Sequence, residues 1–120
     1  PILSIAAVKA QGETHMEGIE ELRFKENERI NAISKGLHSL GIETFDTKDS
    51  MVIKGNGPDC KLEGKISIES QLDHRIAMSF LCLGMITENS LIVENTDTIN
   101  SSFPSFVKIM NTIGAKLEYV

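Results

Sequence analysis

The sequence contains no tryptophan, and aromatic residues make up only 5% of its 120 residues. Its core must therefore be built from Ile, Leu, Val, Met and Ala. The two cysteines, Cys60 and Cys82, show no CxxC spacing, and the three histidines, His15, His38 and His74, are scattered. This pattern offers neither a zinc site nor a disulfide framework. Cys82 falls in an apolar helical stretch as a small core residue, and unpaired thiols fit a reducing, cytoplasmic setting. No apolar run reaches the roughly 18 residues of a membrane-spanning helix, and no basic-then-apolar leader resembles a signal peptide. Positive charge is also short, with 12 Lys and Arg against 17 Asp and Glu, a net −5. A general nucleic-acid binder needs the opposite balance to neutralise phosphates. A small anionic ligand stays admissible, because a few arginines can converge locally on an acidic protein.

The apolar residues that are present set out helices and strands. "PILSIAAVKA" (1–10) reads as a helix with Ile2, Ile5, Ala6 and Lys9 on one face, Pro at a tolerated first position and Gly12 as its stop. "THMEGIEEL" (14–22) reads as a strand interrupted at Gly18. In "ENERINAISKGLHSLG" (26–41), Ile30, Ile33, Leu37 and Leu40 recur at spacings of three and four, which predicts an amphipathic helix closed by Gly41. "IETFDT" and "DSMVIKG" predict two strands joined by a polar turn, "GNGPDCKLEG" (55–64) a loop, and "KISIES" (65–70) a further strand. Helix 73–87, strand 90–95, helix 103–114 and strand 115–120 follow.

Helix–strand–helix–strand thus occurs twice. Gly41 and Gly114 each close a helix and precede a strand, at an offset of 73, and Ile19 and Val93 are 74 apart. The order predicts an α+β chain of βαβαββ-like modules, fewer than two complete copies, without an internal domain boundary across 1–120. Such a unit cannot bury its hydrophobic face alone and stacks on neighbours. The chain opens at Pro1 and runs at once into helical sequence, so the expectation is a piece cut from a larger array.

Two polar clusters stand at helix starts. "ELRFKENERI" (21–30) crowds Arg23, Lys25, Glu26, Glu28 and Arg29 at a strand–helix junction. On an extended strand Arg23 and Lys25 would share a face, and Arg29 would fall in the first helical turn. "LDHRIAMSF" (72–80) places Asp73, His74 and Arg75 directly before an apolar run. Asp73 there is a good N-cap, and a charge run is commonly a solvated face. The alternative is an anion site: helix N-termini offer N–H groups and a positive dipole, and arginine pairs bidentately with carboxylate and phosphate. Stacked repeats would bring Arg29 and Arg75 to one ligand, with Glu26 beside Lys25 as a general acid or base. "GNGP" lacks the rest of a phosphate loop and reads as a turn. "SSFP" (101–104) reads as a helix entry or a ligand-contacting loop, and Met51, Met78, Met85 and Met110 as dispersed core residues.

With these residues in view, "RFKENERINAISKGLHSLGIE" resembles the signature of the 5-enolpyruvylshikimate-3-phosphate synthase family, and "LDHRIAMSF" its second hallmark. "SSFPSFVKIMNTIGAKLE" is similar to the family's last helix and strand, most closely in the branch tolerant to glyphosate-type inhibitors. "PILSIAAVKAQGETHMEGIEELRFKE" resembles the segment before the signature. The resemblance implies two domains of three βαβαββ units each, the inverse α/β prism fold, of which this chain is an incomplete C-terminal portion. It implies transfer of the enolpyruvyl group of phosphoenolpyruvate to the 5-hydroxyl of shikimate-3-phosphate, without metal or organic cofactor. By motif position it implies Arg29 and Arg75 as phosphoenolpyruvate ligands and Lys25 as a shikimate-3-phosphate ligand near the reacting atoms. Glu26 would be the proton-transfer group, with Asp73 and His74 supporting the site.

The sequence departs from the family pattern at three places. Asn27 stands where Ser or Thr is usual, Glu28 where Asp is usual, and Ser101 where some members carry Lys. The family's catalytic Asp precedes the Pro that matches Pro1, and the other domain supplies further ligands. The isolated chain is therefore expected to be an inactive half-site whose partner is the remainder of its parent chain, with no nucleic-acid or membrane partner. Two other readings are a UDP-N-acetylglucosamine enolpyruvyl transferase, which shares the repeat architecture but lacks the DHR motif in this form, and a non-catalytic remnant or interaction module.

Overall fold

Met51 and Ile53 are two residues apart, so on a strand they share a face, and both are fully buried. They lie on the central strand of the sheet in the computed structural model, which describes residues 1–63 and 66–120. This strand, β3 (Ser50–Asn56), is flanked by β1 (Gln11–Glu17) and β2 (Thr44–Asp46), all antiparallel in the order β1-β3-β2. Ile53 stands opposite Thr14 on one side and Thr44 on the other. Helices α1 (Ile2–Lys9), α2 (Arg29–Ser39) and α3 (His74–Met85) join Met51 and Ile53 in one apolar cluster through Val8, Ile33, Leu37, Ile76, Phe80 and Leu83. Each such side chain, fully buried, contributes about 1.5–3 kcal/mol.

A second, parallel pair consists of β4 (Ser67–Glu69) and β5 (Ile92–Glu94), with Ile68 opposite Val93. Parallel strands need a crossover, and α3 supplies it. After β5 come α4 (Thr98–Ser102) and α5 (Phe106–Thr112), whose Ile99 and Phe106 pack on Ala77 of α3 in a smaller cluster. No helix among the described residues is long and apolar enough to cross a membrane.

The expected correspondence between Gly41 and Gly114 is visible in backbone detail. After α2, the Gly41 N–H donates to His38 O (3.0 Å) and the Ile42 N–H to Leu37 O (3.0 Å). After α5, the Gly114 N–H donates to Asn111 O (3.2 Å) and the Ala115 N–H to Met110 O (3.0 Å). Both are Schellman closures, and both glycines take the positive φ (79° and 110°) that this motif requires.

Several local expectations are corrected. Helix α1 buries Ser4, Ile5, Ala7 and Val8 rather than a face containing Ile2 and Ala6. It is apolar on nearly all sides, so periodicity could not choose the face. It ends at Lys9, and Gly12 lies inside β1. The strand expected over 14–22 stops at Glu17, and Glu20–Phe24 is a 3-10 helix, so Arg23 and Lys25 share no strand face. Helix α2 begins at Arg29 rather than at residue 26, because the Glu28 carboxylate accepts the Asn31 N–H (3.1 Å) and fixes the start there. The strand expected over 65–70 is observed over Ser67–Glu69, and Lys65 lies outside the described residues. Pro104 falls between α4 and α5 rather than inside one helix.

Residues 115–120 form no strand among the described residues. A strand exists by pairing, and here Leu117 instead pairs with the side-chain amide of Asn111. That amide accepts the Leu117 N–H (2.8 Å) and donates to the Leu117 carbonyl (2.9 Å).

At Gly55 the chain passes so close to the end of α1 that an added Cβ would meet the backbone carbonyl oxygens of Ala7 and Ala10. Backbone atoms cannot rotate away as a side chain can. Gly55→Ala is expected to destabilise the folded protein by about 1–3 kcal/mol, the usual cost of overpacking, read as a lower denaturant midpoint at unchanged m-value.

Candidate active site

The two helix starts singled out in the sequence meet through one carboxylate. Asp73 is wholly buried and Arg29, the first residue of α2, is 4% exposed. Arg29 Nε donates to Asp73 Oδ2 (2.8 Å) and Nη2 to Oδ1 (3.4 Å), while Nη2 also binds the Glu26 carboxylate. Asp73 Oδ1 caps α3 at the same time, accepting the N–H groups of Arg75 (2.9 Å) and Ile76 (3.3 Å). Both readings of Asp73 therefore hold together: it is the N-cap and it anchors Arg29. Burial by itself would push this carboxyl's pKa up. The Arg29 hydrogen bond, the Ile76 N–H, the Arg29 charge and the Arg75 N–H outweigh it, and Asp73 stays below the usual carboxylate range.

The backbone is bent to present Asp73. Gln71 and Leu72, neither of them glycine, are consecutive left-handed residues with φ of 55° and 57°. Such a conformation costs about 1–2 kcal/mol per residue. Three hydrogen bonds hold it. Glu69 Oε1 accepts the Gln71 N–H (2.8 Å), Ser70 O accepts the Asp73 N–H (3.1 Å), and the buried Ser70 hydroxyl donates to Asn95 O (2.8 Å). Asn27 Nδ2 reaches the Gln71 side chain at 3.4 Å, a weak link between the two clusters.

Arg75, second in α3, is exposed, and its guanidinium has no partner among the described residues. Its backbone N–H is bound by the same Asp73 carboxylate that holds Arg29. His74, first in α3, is half-buried.

The helix ends differ from expectation. The Glu28 carboxylate already accepts the Asn31 N–H, and the Asp73 carboxylate those of Arg75 and Ile76. Among the cationic side chains, Arg75 and Lys25 are exposed, and Arg29 Nη1 makes no hydrogen bond among the described residues. Lys25 does not pair with Glu26. Its ammonium binds Glu21, one helical turn back, through a hydrogen bond and charge attraction that lower the Glu21 pKa. Glu26 is half-exposed and held by Arg29. Ser101 donates to Thr98 O (3.0 Å) within α4. No group of three metal-ligating side chains occurs among the described residues.

A profile of EPSP synthase (3-phosphoshikimate 1-carboxyvinyltransferase) matches residues 1–110. The chain belongs to the EPSP synthase family. Over 120 aligned residues it is 47% identical to the 3-phosphoshikimate 1-carboxyvinyltransferase of Magnetococcus marinus and 42% identical to that of Paramagnetospirillum magneticum. These alignments cover 100% and 98% of this chain. Among solved structures, an EPSP synthase from Acinetobacter baumannii superposes with a TM-score of 0.90 at 40% identity, over 98% of this chain and 27% of its own. The likeness assigns the inverse α/β prism fold expected above. The chain spans about a quarter (26%) of the length of the curated relatives it matches.

Within this family member, removing one partner of the buried pair leaves the other charge stranded. Asp73→Asn is expected to cost about 3–5 kcal/mol of stability near pH 7. A carboxyl whose folded pKa is depressed stabilises above its unfolded pKa and loses that contribution as pH falls through the folded value. The gap between the two proteins should therefore close below about pH 4, as followed by denaturant unfolding at a series of pH values.

Proposed function

We propose that these 120 residues form one wall of the active site of a longer 3-phosphoshikimate 1-carboxyvinyltransferase. That enzyme would transfer the enolpyruvyl group from phosphoenolpyruvate to the 5-hydroxyl of shikimate-3-phosphate and release inorganic phosphate. The observation that carries this reading is the pair of arginines at two helix starts, one buried and locked by Asp73, the other free. Arg29 keeps Nη1 for phosphoenolpyruvate, and Arg75, without a partner among the described residues, gives its whole guanidinium fork. Lys25 exchanges Glu21 for the phosphorylated acceptor near the reacting atoms. Glu26, freed from Arg29 as the anion arrives, takes up a proton and delivers it to the methylene carbon as the 5-hydroxyl oxygen bonds to the adjacent carbon and releases its own proton to a base on the remainder of the parent chain; during elimination it removes a proton from the resulting methyl group as phosphate leaves. Asp73 and His74 support the arginines, and no metal or organic cofactor enters the scheme. The free thiols Cys60 and Cys82 suit a cytoplasmic enzyme.

The other wall belongs to the remainder of the parent chain. Alone, this wall leaves the ligand open to water, where a charge pair at contact distance is worth about 1 kcal/mol. It also lacks the enclosure that orients the acceptor hydroxyl, an effect worth roughly 7–11 kcal/mol of barrier. Phosphate release from phosphoenolpyruvate plus shikimate-3-phosphate is therefore expected from the parent and not from the 120-residue chain. In the isolated chain, phosphoenolpyruvate should shift NMR resonances near Lys25, Arg29 and Arg75, and salt should reverse the shifts. Turnover with UDP-N-acetylglucosamine in place of shikimate-3-phosphate would reassign the acceptor.

Two substitutions in the parent separate the roles. Arg75→Ala, at an exposed residue without a partner among the described residues, should change stability by no more than about 0.5 kcal/mol. It should raise the KM for phosphoenolpyruvate about 10–100-fold, the loss of one charge-assisted pair. Glu26→Gln should lower kcat about 10²–10⁴-fold while the ligand dissociation constants move little. Equal losses in both would remove the proton-transfer role.

A further inference from the structure

Arg23 sits outside the roles assigned so far, yet its guanidinium is among the most heavily bonded groups in the chain. Nε donates to Lys48 O (2.8 Å), and Nη2 donates to Asp46 Oδ2 (3.1 Å) and to the Thr47 carbonyl. All three acceptors lie in the tip of the β2–β3 hairpin. On its other side, Nη1 faces Glu28 Oε1 at 3.1 Å, and Glu28 is the cap that starts α2. The same tip holds the 3-10 segment at two further points. The Ile19 N–H donates to Asp49 O (2.9 Å), and Lys48 pairs with Glu20 (3.1 Å).

We propose that Arg23 is a positioning residue for the Lys25–Glu26 turn, a role that rests on the function proposed above. One planar guanidinium is hydrogen-bonded to the hairpin tip and ion-paired, without a hydrogen bond, to the Glu28 cap, and so ties both ends of the stretch between residues 23 and 28. Phe24, Lys25 and Glu26 within it are exposed, and little packing restrains them. Inside the stretch Lys25 is tied to Glu21 and Glu26 to Arg29, and the Arg23 bridge sets its two ends. Arginine suits this place because its rigid fork serves several acceptors in a plane; lysine is a point charge that cannot span both sides. Arg29 and Arg75 are set separately through Asp73, so loss of the bridge should disturb the reacting groups more than the phosphoenolpyruvate ligands.

The test uses the full-length parent with Arg23→Lys, Arg23→Gln and Asp46→Asn, the last weakening one of the three hairpin bonds while the Lys48 and Thr47 carbonyls remain. Kinetic constants are normalised to folded protein, and amide hydrogen exchange is followed across residues 24–28. Arg23→Lys is expected to lower kcat about 10–100-fold, as a displacement near 1 Å does, with the KM for phosphoenolpyruvate within about threefold. Asp46→Asn should produce a smaller loss in the same direction. Exchange across 24–28 should rise in both, while β4 and β5 stay unchanged. If Arg23→Gln fails to fold, the other two variants decide. A normalised kcat within about twofold of the unmodified enzyme for both, or unchanged exchange across 24–28, would overturn the proposal. An unmodified parent without turnover would remove the functional reading, and the exchange data would still decide whether Arg23 holds the turn.

Discussion

Asp73 neutralises a buried guanidinium with both carboxylate oxygens and starts a helix with one of them. Arg29 opens α2, Asp73 stands 44 residues later before α3, and neither meets bulk water. Desolvating two charges costs several kcal/mol per ion, and mutual attraction repays it only when every remaining donor and acceptor is served. Here the carboxylate receives four bonds, two from Arg29 and two from the α3 backbone. The positions of α2, α3 and the intervening left-handed turn at Gln71 and Leu72 all follow from that requirement. The strained turn persists because Glu69, Ser70 and Asn95 bond around it.

The same pair decides which charges are left for chemistry. Arg29 is mostly committed to the protein, through Asp73 and Glu26. Arg75 is uncommitted, and its backbone is fixed by the cap two residues earlier. An acidic chain of net charge −5 can thus offer a local cationic centre because its carboxylates near the site are already spoken for by helix ends and arginines. The helix dipoles still contribute through orientation, while Glu28 takes the Asn31 N–H and Asp73 those of Arg75 and Ile76.

Much of the fold was legible. The α2 stripe Ile30, Ile33, Leu37 and Leu40 is buried as its spacing requires, and Gly41 and Gly114 close helices in the same way. Failures occurred where local pattern carries little information. Helix α1 lacks a polar face to orient it, the charged stretch 19–24 fits a strand or a 3-10 turn equally well, and 115–120 has strand composition but finds an asparagine side chain rather than a strand. At the site, residue types and helix starts were readable, because Asp before an apolar run and Arg inside a first turn have local physical meaning.

The sequence by itself determined the α+β element order, the family membership carried by its two polar motifs, and the placement of Arg29 and Arg75 at helix starts. Those depend on periodicity, capping and motif spacing, which act over a few residues. Only the tertiary structure decided that Arg29 is locked by Asp73, that Lys25 turns to Glu21 and Glu26 to Arg29, and that Arg23 reaches the hairpin tip. A charged side chain takes whichever opposite charge the folded backbone brings within about 4 Å, and most of these partners are distant in sequence or compete with equally near alternatives.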